Sequence, residues 1–152
     1  MTHKDKLLAR KIYLYLGALF ITSLVVSNLI FQKFFYWHPF GDVTLFGAPL
    51  FEISVGILPY PVTFLITDLI SEIFGKKKAN QIVVAGIFAS VFSLTIVYTA
   101  NAVPATGWSP VQDDLFTSVF GNTIVAVFAS MMAYLLAQFV DIQLYHFWKN
   151  LT

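Results

Sequence analysis

The run Leu58-Pro-Tyr-Pro-Val-Thr-Phe-Leu-Ile-Thr-Asp-Leu-Ile-Ser-Glu-Ile-Phe-Gly-Lys-Lys-Lys78 decides how this chain folds. It is apolar enough to lie in a membrane, yet it carries two carboxylates, Asp68 and Glu72, one helical turn apart. An acid at membrane depth costs about 2.5–3.5 kcal/mol on insertion scales, so it marks a functional site or a protected pair. Proline suits the first helical position and glycine the position just past the last, so a helix is expected from Pro61 to a stop at Gly75. At the rise of an α-helix it is only ~21 Å long, short of the ~30 Å thickness of a hydrocarbon core. Gly56, Pro59 and Pro61 interrupt the apolar run around its start. Residues 50–75 therefore read as a broken second span, an irregular or re-entrant piece followed by a short helix. Irregular backbone at that depth survives only where protein covers it or where it lines a cavity, so a cavity is expected beside it.

The surroundings of this run agree with a membrane setting. The chain is 58% hydrophobic and 11% charged, with a mean hydropathy of +0.76; a soluble domain carries about 25% charged residues. A net charge of +1 says nothing about nucleic acid, and no nucleic-acid partner is expected. The absence of cysteine excludes disulfides, thiolate catalysis and zinc–thiolate sites.

Upstream, Met1 to Lys11 is a basic leader with Lys4, Lys6, Arg10 and Lys11. Residues 12–32 are free of charge and match the ~20 apolar residues of a spanning helix. No small-residue cleavage site follows, so this is expected to be a retained first helix. Lys33 to Pro49 reads as an aromatic-rich loop whose Tyr36 and Trp37 suit the water–lipid boundary. Downstream, residues 79–100 form a third span, in which Ala85, Ala89 and Ser93, and likewise Gly86 and Ser90, recur every fourth position. Small residues at that spacing let helices approach closely. After a loop with Asp113 and Asp114, residues 116–148 read as a long fourth helix with a more polar last third. The expectation is a single all-α membrane domain over residues 1–152. Lysine and arginine concentrate in the leader, in Lys76 to Lys78 and at Lys149, which orients both ends of this chain toward the cytoplasm.

Residues three and four apart share a helix face. Phe64, Thr67, Asp68, Ser71 and Glu72 thus form one stripe, and in a membrane such a stripe turns toward other helices or a wet cavity. The functional reading is a wall that binds a ligand or a proton, and Asp68, one turn deeper, has the stronger claim to it. The bland alternative is that Glu72 reaches the interface or pairs with the lysine run. Asn28 and Asn122 are candidate polar contacts, with helix–helix hydrogen bonding as the alternative role. Tyr134, Gln138, Asp141 and Tyr145 follow helical spacing. Two phenols, an amide and a carboxylate on one face suit a flat polar ligand; Asp141 can instead be solvated at the boundary.

Enzyme chemistry finds little support. His3, His38 and His146 lie in the leader, a loop and the last turn, and none is spaced as a metal pair. No serine–histidine pattern or glycine-rich phosphate loop is present, and Gly75-Lys76 follows a helix where a phosphate loop would open one. Asp68 and Asp141 could be cast as an intramembrane aspartyl protease pair, but the glycine-containing motifs of that class are absent. No metal or cofactor is implied.

The run from Leu58 to Ala79 resembles the signature of the queuosine precursor transporters, also called the vitamin uptake transporter family. Ser27-Asn28-Leu-Ile with Lys33 looks like that family's first span, and Asp141-Ile142 with Tyr145-His146 like its fourth. The resemblance implies a six-helix transporter bundle in a bacterial or archaeal inner membrane that imports 7-deazaguanines such as 7-cyano-7-deazaguanine, precursors of the modified tRNA base queuosine. It also implies that this chain is the N-terminal part, lacking two C-terminal helices, so that a complete site needs those helices or a second copy.

The implied ligand suits the stripe. A 7-deazaguanine presents adjacent N–H donors on its ring nitrogen and exocyclic amine. A carboxylate accepts both in a fork, and charge assistance roughly doubles the strength of such bonds. Asp68 or Glu72 then reads the edge, or carries a proton, while Tyr60, Phe64 or Tyr134 stacks on the ring. The rival readings are a substrate-binding subunit of a larger transport complex and a non-transporting membrane scaffold.

Overall fold

A computed structural model describes residues 3–37, 41, 44–45, 48–49, 52–123, 125–130 and 132–133. The chain divides into two compact units, Met1–Ala100 and Asn101–Thr152.

In the first unit, helix α1 runs His3–Ile30. It starts well before the expected Ile12, because Lys, Leu, Ala and Arg of the basic leader are good helix formers. Asp5 in the first turn also complements the helix dipole. The leader is therefore the opening of the first long helix.

The expected loop is a β-ribbon. Strand β1 (Phe34–Tyr36) pairs antiparallel with β4 (Glu52–Ser54), in the register Phe34↔Ser54, Phe35↔Ile53 and Tyr36↔Glu52. Between them, β2 (Thr44–Leu45) pairs with β3 (Ala48–Pro49). The described residues are mostly helical, as expected, and the ribbon is the departure: residues 52–54, assigned to the second span, form a strand. The aromatic run Phe34–Tyr36 favours a strand, and residues 52–54 pair with it. The ribbon leads into a 3₁₀ turn, Val55–Ile57, whose Gly56 N–H donates to the Ser54 hydroxyl at 3.1 Å.

Helix α2 runs Tyr60–Phe74 with Pro61 in its first turn, and it stops at Gly75. Gly75 sits at φ 85° and ψ 159°, a region essentially reserved for glycine. The chain turns there directly into helix α3, Lys76–Ala102. Among the described residues, three helical segments are long and apolar enough to cross a membrane: Lys4–Ile30, Val55–Phe74 and Lys76–Ala102. The 20 residues of the second include the 3₁₀ turn, which makes up the length that α2 alone lacks.

Contacts fix the directions. Tyr13, early in α1, packs edge-on against Phe74 at the end of α2, with ring centroids 5.4 Å apart. At the other end of α1 the Ser27 hydroxyl donates to the Gly56 carbonyl, just ahead of α2. So α1 and α2 are antiparallel. The core between them holds Phe20, Ile66 and Ile70, with Ala79 of α3 beside them.

Helix α3 runs parallel to α1. A Cβ on Gly17 would stand 2.6 Å from Ile82, and one on Gly86 would stand 2.7 Å from the Phe20 ring. Further along, the Asn28 amide donates to the Ser90 hydroxyl at 3.4 Å. Gly86 and Ser90, one of the two small stripes read in the sequence, are buried on this face. Ala85, Ala89 and Ser93 are only half-buried.

In the second unit, the Asp113 carboxylate accepts the Ala105 N–H at 2.9 Å and closes the loop before helix α4, Asp113–Phe120. The Thr117 hydroxyl donates to the Asn101 side-chain oxygen at 2.9 Å. Asp113 and Asp114 lie in the first turn of α4, where the helix dipole favours acids, so this helix opens earlier than the expected Phe116. Residues 125–130 are helical again. The remainder of the expected fourth span lies outside the described residues, apart from 132–133.

Candidate functional site

Helix α2 has two unlike faces. Thr63, Ile66 and Ile70 are buried, and Ile66 and Ile70 pack in the core with Phe20. At about 100° per residue, Asp68 and Glu72 fall roughly opposite those positions. Both acids are exposed, as is Phe64, while Thr67, Ser71 and Tyr60 are half-buried. The stripe therefore points away from α1. This follows from hydrophobicity: α1 takes the face that carries isoleucine, and the carboxylates are left on the far side.

The stripe has an order along its axis. At the Tyr60 end, Tyr60 and Phe64 form a tilted ring pair with centroids 6.0 Å apart. Thr67 follows; its hydroxyl donates into its own helix, to the carbonyls of Phe64 at 2.9 Å and Thr63 at 3.1 Å. That bond spends the proton of Thr67 and leaves it a lone pair for an incoming N–H. Asp68 comes next, and Glu72 stands ~6 Å further along the axis. From Tyr60 to Glu72 the stripe spans ~18 Å. Its chemistry is therefore graded: aromatic faces at one end, an acceptor hydroxyl in the middle and two carboxylates toward the lysine-bearing end.

The other sequence candidates are placed as follows. Asn28 is on α1 and half-buried, where its amide bridges to Ser90 of α3. Asn122 is exposed in the second unit, and its carbonyl accepts the Ala126 N–H at 3.1 Å. Tyr134, Gln138 and Asp141 lie outside the described residues. Tyr60, Phe64, Thr67, Asp68 and Glu72 are thus gathered on one helix face, whereas Asn28 sits at the α1–α3 contact.

Sequence reasoning passed over the support beneath α2. The Ser27 hydroxyl donates to the Gly56 carbonyl, the Ser54 hydroxyl to the Phe31 carbonyl, and the Val55 N–H to the Lys33 carbonyl at 2.7 Å. These bonds clamp the turn that precedes Tyr60 onto the end of α1. A Cβ on Gly56 would meet Phe31 and the Ser27 carbonyl at 2.8 Å. The only sequence signal was a glycine within an apolar run and serines without an obvious task.

A family model described as "Putative vitamin uptake transporter" matches residues 54–152, well over half of the chain. The whole of α2 falls inside the match, and Ser27 and Asn28 fall outside it. No curated protein matches the chain, and no solved structure matches it.

Proposed function

Because this chain belongs to the vitamin uptake transporter family, we propose that it forms part of a bacterial or archaeal inner-membrane permease for queuosine precursors, 7-cyano-7-deazaguanine and related 7-deazaguanines. It is a multi-pass membrane protein. The observation that carries the substrate reading is the graded face of α2, with its Tyr60–Phe64 ring pair one to two turns from Asp68.

A flat heterocycle whose edge bears adjacent N–H donors fits that order. Phe64, or Tyr60 beside it, stacks on the ring, an interaction worth ~1–3 kcal/mol per base in proteins that bind unpaired bases. Asp68 accepts the ring N–H and the exocyclic amine in a fork, and Thr67 offers a further acceptor. Glu72 lies one turn closer to the lysines and either completes the fork or takes a proton. Carboxylates on a face turned from α1 cannot point into lipid without the insertion penalty. The face of α2 is therefore assigned to the ligand path, with further helices or a second copy closing its other side.

Orientation follows in the same reading. The start of α1, the end of α2 and the start of α3 share one end of the first unit, and the positive-inside rule supports the cytoplasm as the side of their lysines.

The test is binding of 7-cyano-7-deazaguanine and of guanine to the purified protein, wild type beside Asp68→Asn. Asparagine keeps the size of the side chain but replaces one acceptor by a donor. A charge-assisted bond is worth about 1.5–3 kcal/mol, so affinity should fall roughly 10- to 100-fold. Binding that is equal in both proteins removes Asp68 from the site. No binding by either, from protein that is folded, leaves the scaffold reading in its place.

A further inference from the structure

Seven of the nine lysines and arginines of this chain are Lys4, Lys6, Arg10, Lys11, Lys76, Lys77 and Lys78. They come from two segments more than sixty residues apart, and Tyr13 joins those segments. Its hydroxyl donates to the Lys78 carbonyl at 3.2 Å, and the Lys78 ammonium stands 5.2 Å from its ring centroid. Its ring also packs edge-on against Phe74. The contact seats the first turn of α3 against the first third of α1. Lys6 and Arg10, seven and three residues before Tyr13, lie on the Tyr13 face of α1. All seven cations are exposed. The acids at this end are Asp5 in the first turn of α1 and Glu72 in the last turn of α2. At the opposite end of the unit the described residues include one cation, Lys33 beside β1, and one acid, Glu52 of β4.

We infer that this end holds the phosphodiester headgroup of an anionic phospholipid, gripped between Lys6 and Arg10 of α1 and Lys77 and Lys78 of α3. Arginine meets a phosphate with two parallel N–H bonds, and lysine adds point charge. Basic clusters next to a span attract anionic lipid by about fivefold per cation near the surface. A lipid fits better than a free anion because the cations stand directly above apolar surface. Leu14, Tyr15 and Leu19 are exposed on α1 just past Tyr13, where acyl chains would lie. The inference rests on α1 and α3 being membrane spans and is independent of the ligand proposed above.

The experiment is native mass spectrometry of the full chain released from detergent micelles containing equimolar phosphatidylglycerol and phosphatidylcholine. Wild type should retain phosphatidylglycerol at least about fivefold over phosphatidylcholine. Lys6→Gln with Arg10→Gln should abolish that preference, and so should Lys77→Gln with Lys78→Gln. Tyr13→Ala removes no charge, yet should also abolish it, because the contact that seats Lys78 and the first turn of α3 against the basic end of α1 is lost. Tyr13→Phe keeps the ring against Lys78 and should retain most of it. Equal retention of both lipids by wild type overturns the inference. A preference lost in the charge variants but intact in Tyr13→Ala, at unchanged helicity by circular dichroism, overturns the joined site. Complete displacement of phosphatidylglycerol by millimolar inorganic phosphate shows a small-anion site and overturns the lipid assignment. Since the readout is bound lipid, failure here is separable from failure of deazaguanine binding.

Discussion

The Ser27 hydroxyl donates to the carbonyl of Gly56, twenty-nine residues further along the chain. Ser27 and Gly56 are both buried, and a buried carbonyl without a donor is costly. The bond joins the end of α1 to the turn that launches α2. Through it, the position of Tyr60 and of the acid-bearing face is referred to α1 and does not drift with the ribbon.

The close approach at this point makes Gly56→Ala destabilising. An added methyl would stand 2.8 Å from the Phe31 Cβ and from the Ser27 carbonyl. Overpacking of this kind costs about 1–3 kcal/mol. Gly107, with nothing within 4 Å of an added Cβ, is the control, and Gly107→Ala should change stability by no more than about 0.5 kcal/mol. Thermal unfolding in detergent measures both; matching melting temperatures would show that the clamp is loose.

Ser27→Ala tests the same joint by removing the donor and leaving the Gly56 carbonyl unpaired. The expected loss is about 1–3 kcal/mol, read as a drop in melting temperature. Helicity at low temperature should be preserved, because serine to alanine raises helix propensity. A variant as stable as wild type would mean that the carbonyl finds another donor.

The parallel seating of α1 on α3 can be read by cross-linking, since the chain has no cysteine of its own. Asn28 and Ser90 approach within 3.4 Å. A pair of cysteines at those positions should react with a short bifunctional thiol reagent and alter mobility on a denaturing gel. Adding Gly86→Val should suppress the product, because Phe20 and Leu24 already fill the space beside Gly86. A product unaffected by the valine would contradict this packing.

Asp68→Asn and Glu72→Gln should separate stability from uptake. Both acids are exposed and lie off the α1 contact, so each substitution should shift stability by no more than about 0.5 kcal/mol. Uptake of 7-cyano-7-deazaguanine by cells expressing the protein should fall roughly 10- to 100-fold for Asp68→Asn. If uptake and melting temperature fall together, the acids hold the fold and not the ligand.

Phe64→Ala removes the exposed half of the ring pair without opening the core. Loss of one stacking surface should weaken ligand binding by ~1–3 kcal/mol, whereas Phe64→Tyr should bind as wild type does. Titration of ligand against intrinsic fluorescence distinguishes the two, and equal weakening by both would point to shape in place of stacking.

The limits of α2 were legible in the sequence, whereas α1, α3 and α4 each open earlier than it suggested. Pro61 and Gly75 bound α2 because their effects are local to the backbone. The charge-free run after Lys11 marks α1 as apolar enough to span. The grouping of Phe64, Thr67, Asp68 and Glu72 was equally legible, since helical spacing alone puts them on one face. The β1–β4 ribbon was not. Its strands are three residues each and about fifteen residues apart, too short for an alternating pattern and paired by non-local hydrogen bonds. Tyr13 was invisible for a similar reason: nothing near it in sequence predicts Lys78 as a partner.

The sequence by itself determined that this chain is a membrane protein, that α2 is bounded by Pro61 and Gly75, and that two acids share a helix face with aromatic rings. Those are consequences of composition, of backbone preference and of a period of 3.6 residues, all short-range. Only the tertiary structure decided which face of α2 meets α1, that Ser27 clamps Gly56, and that two basic segments meet at Tyr13. Each depends on which surfaces win the competition for burial, and that competition is settled between segments distant in sequence.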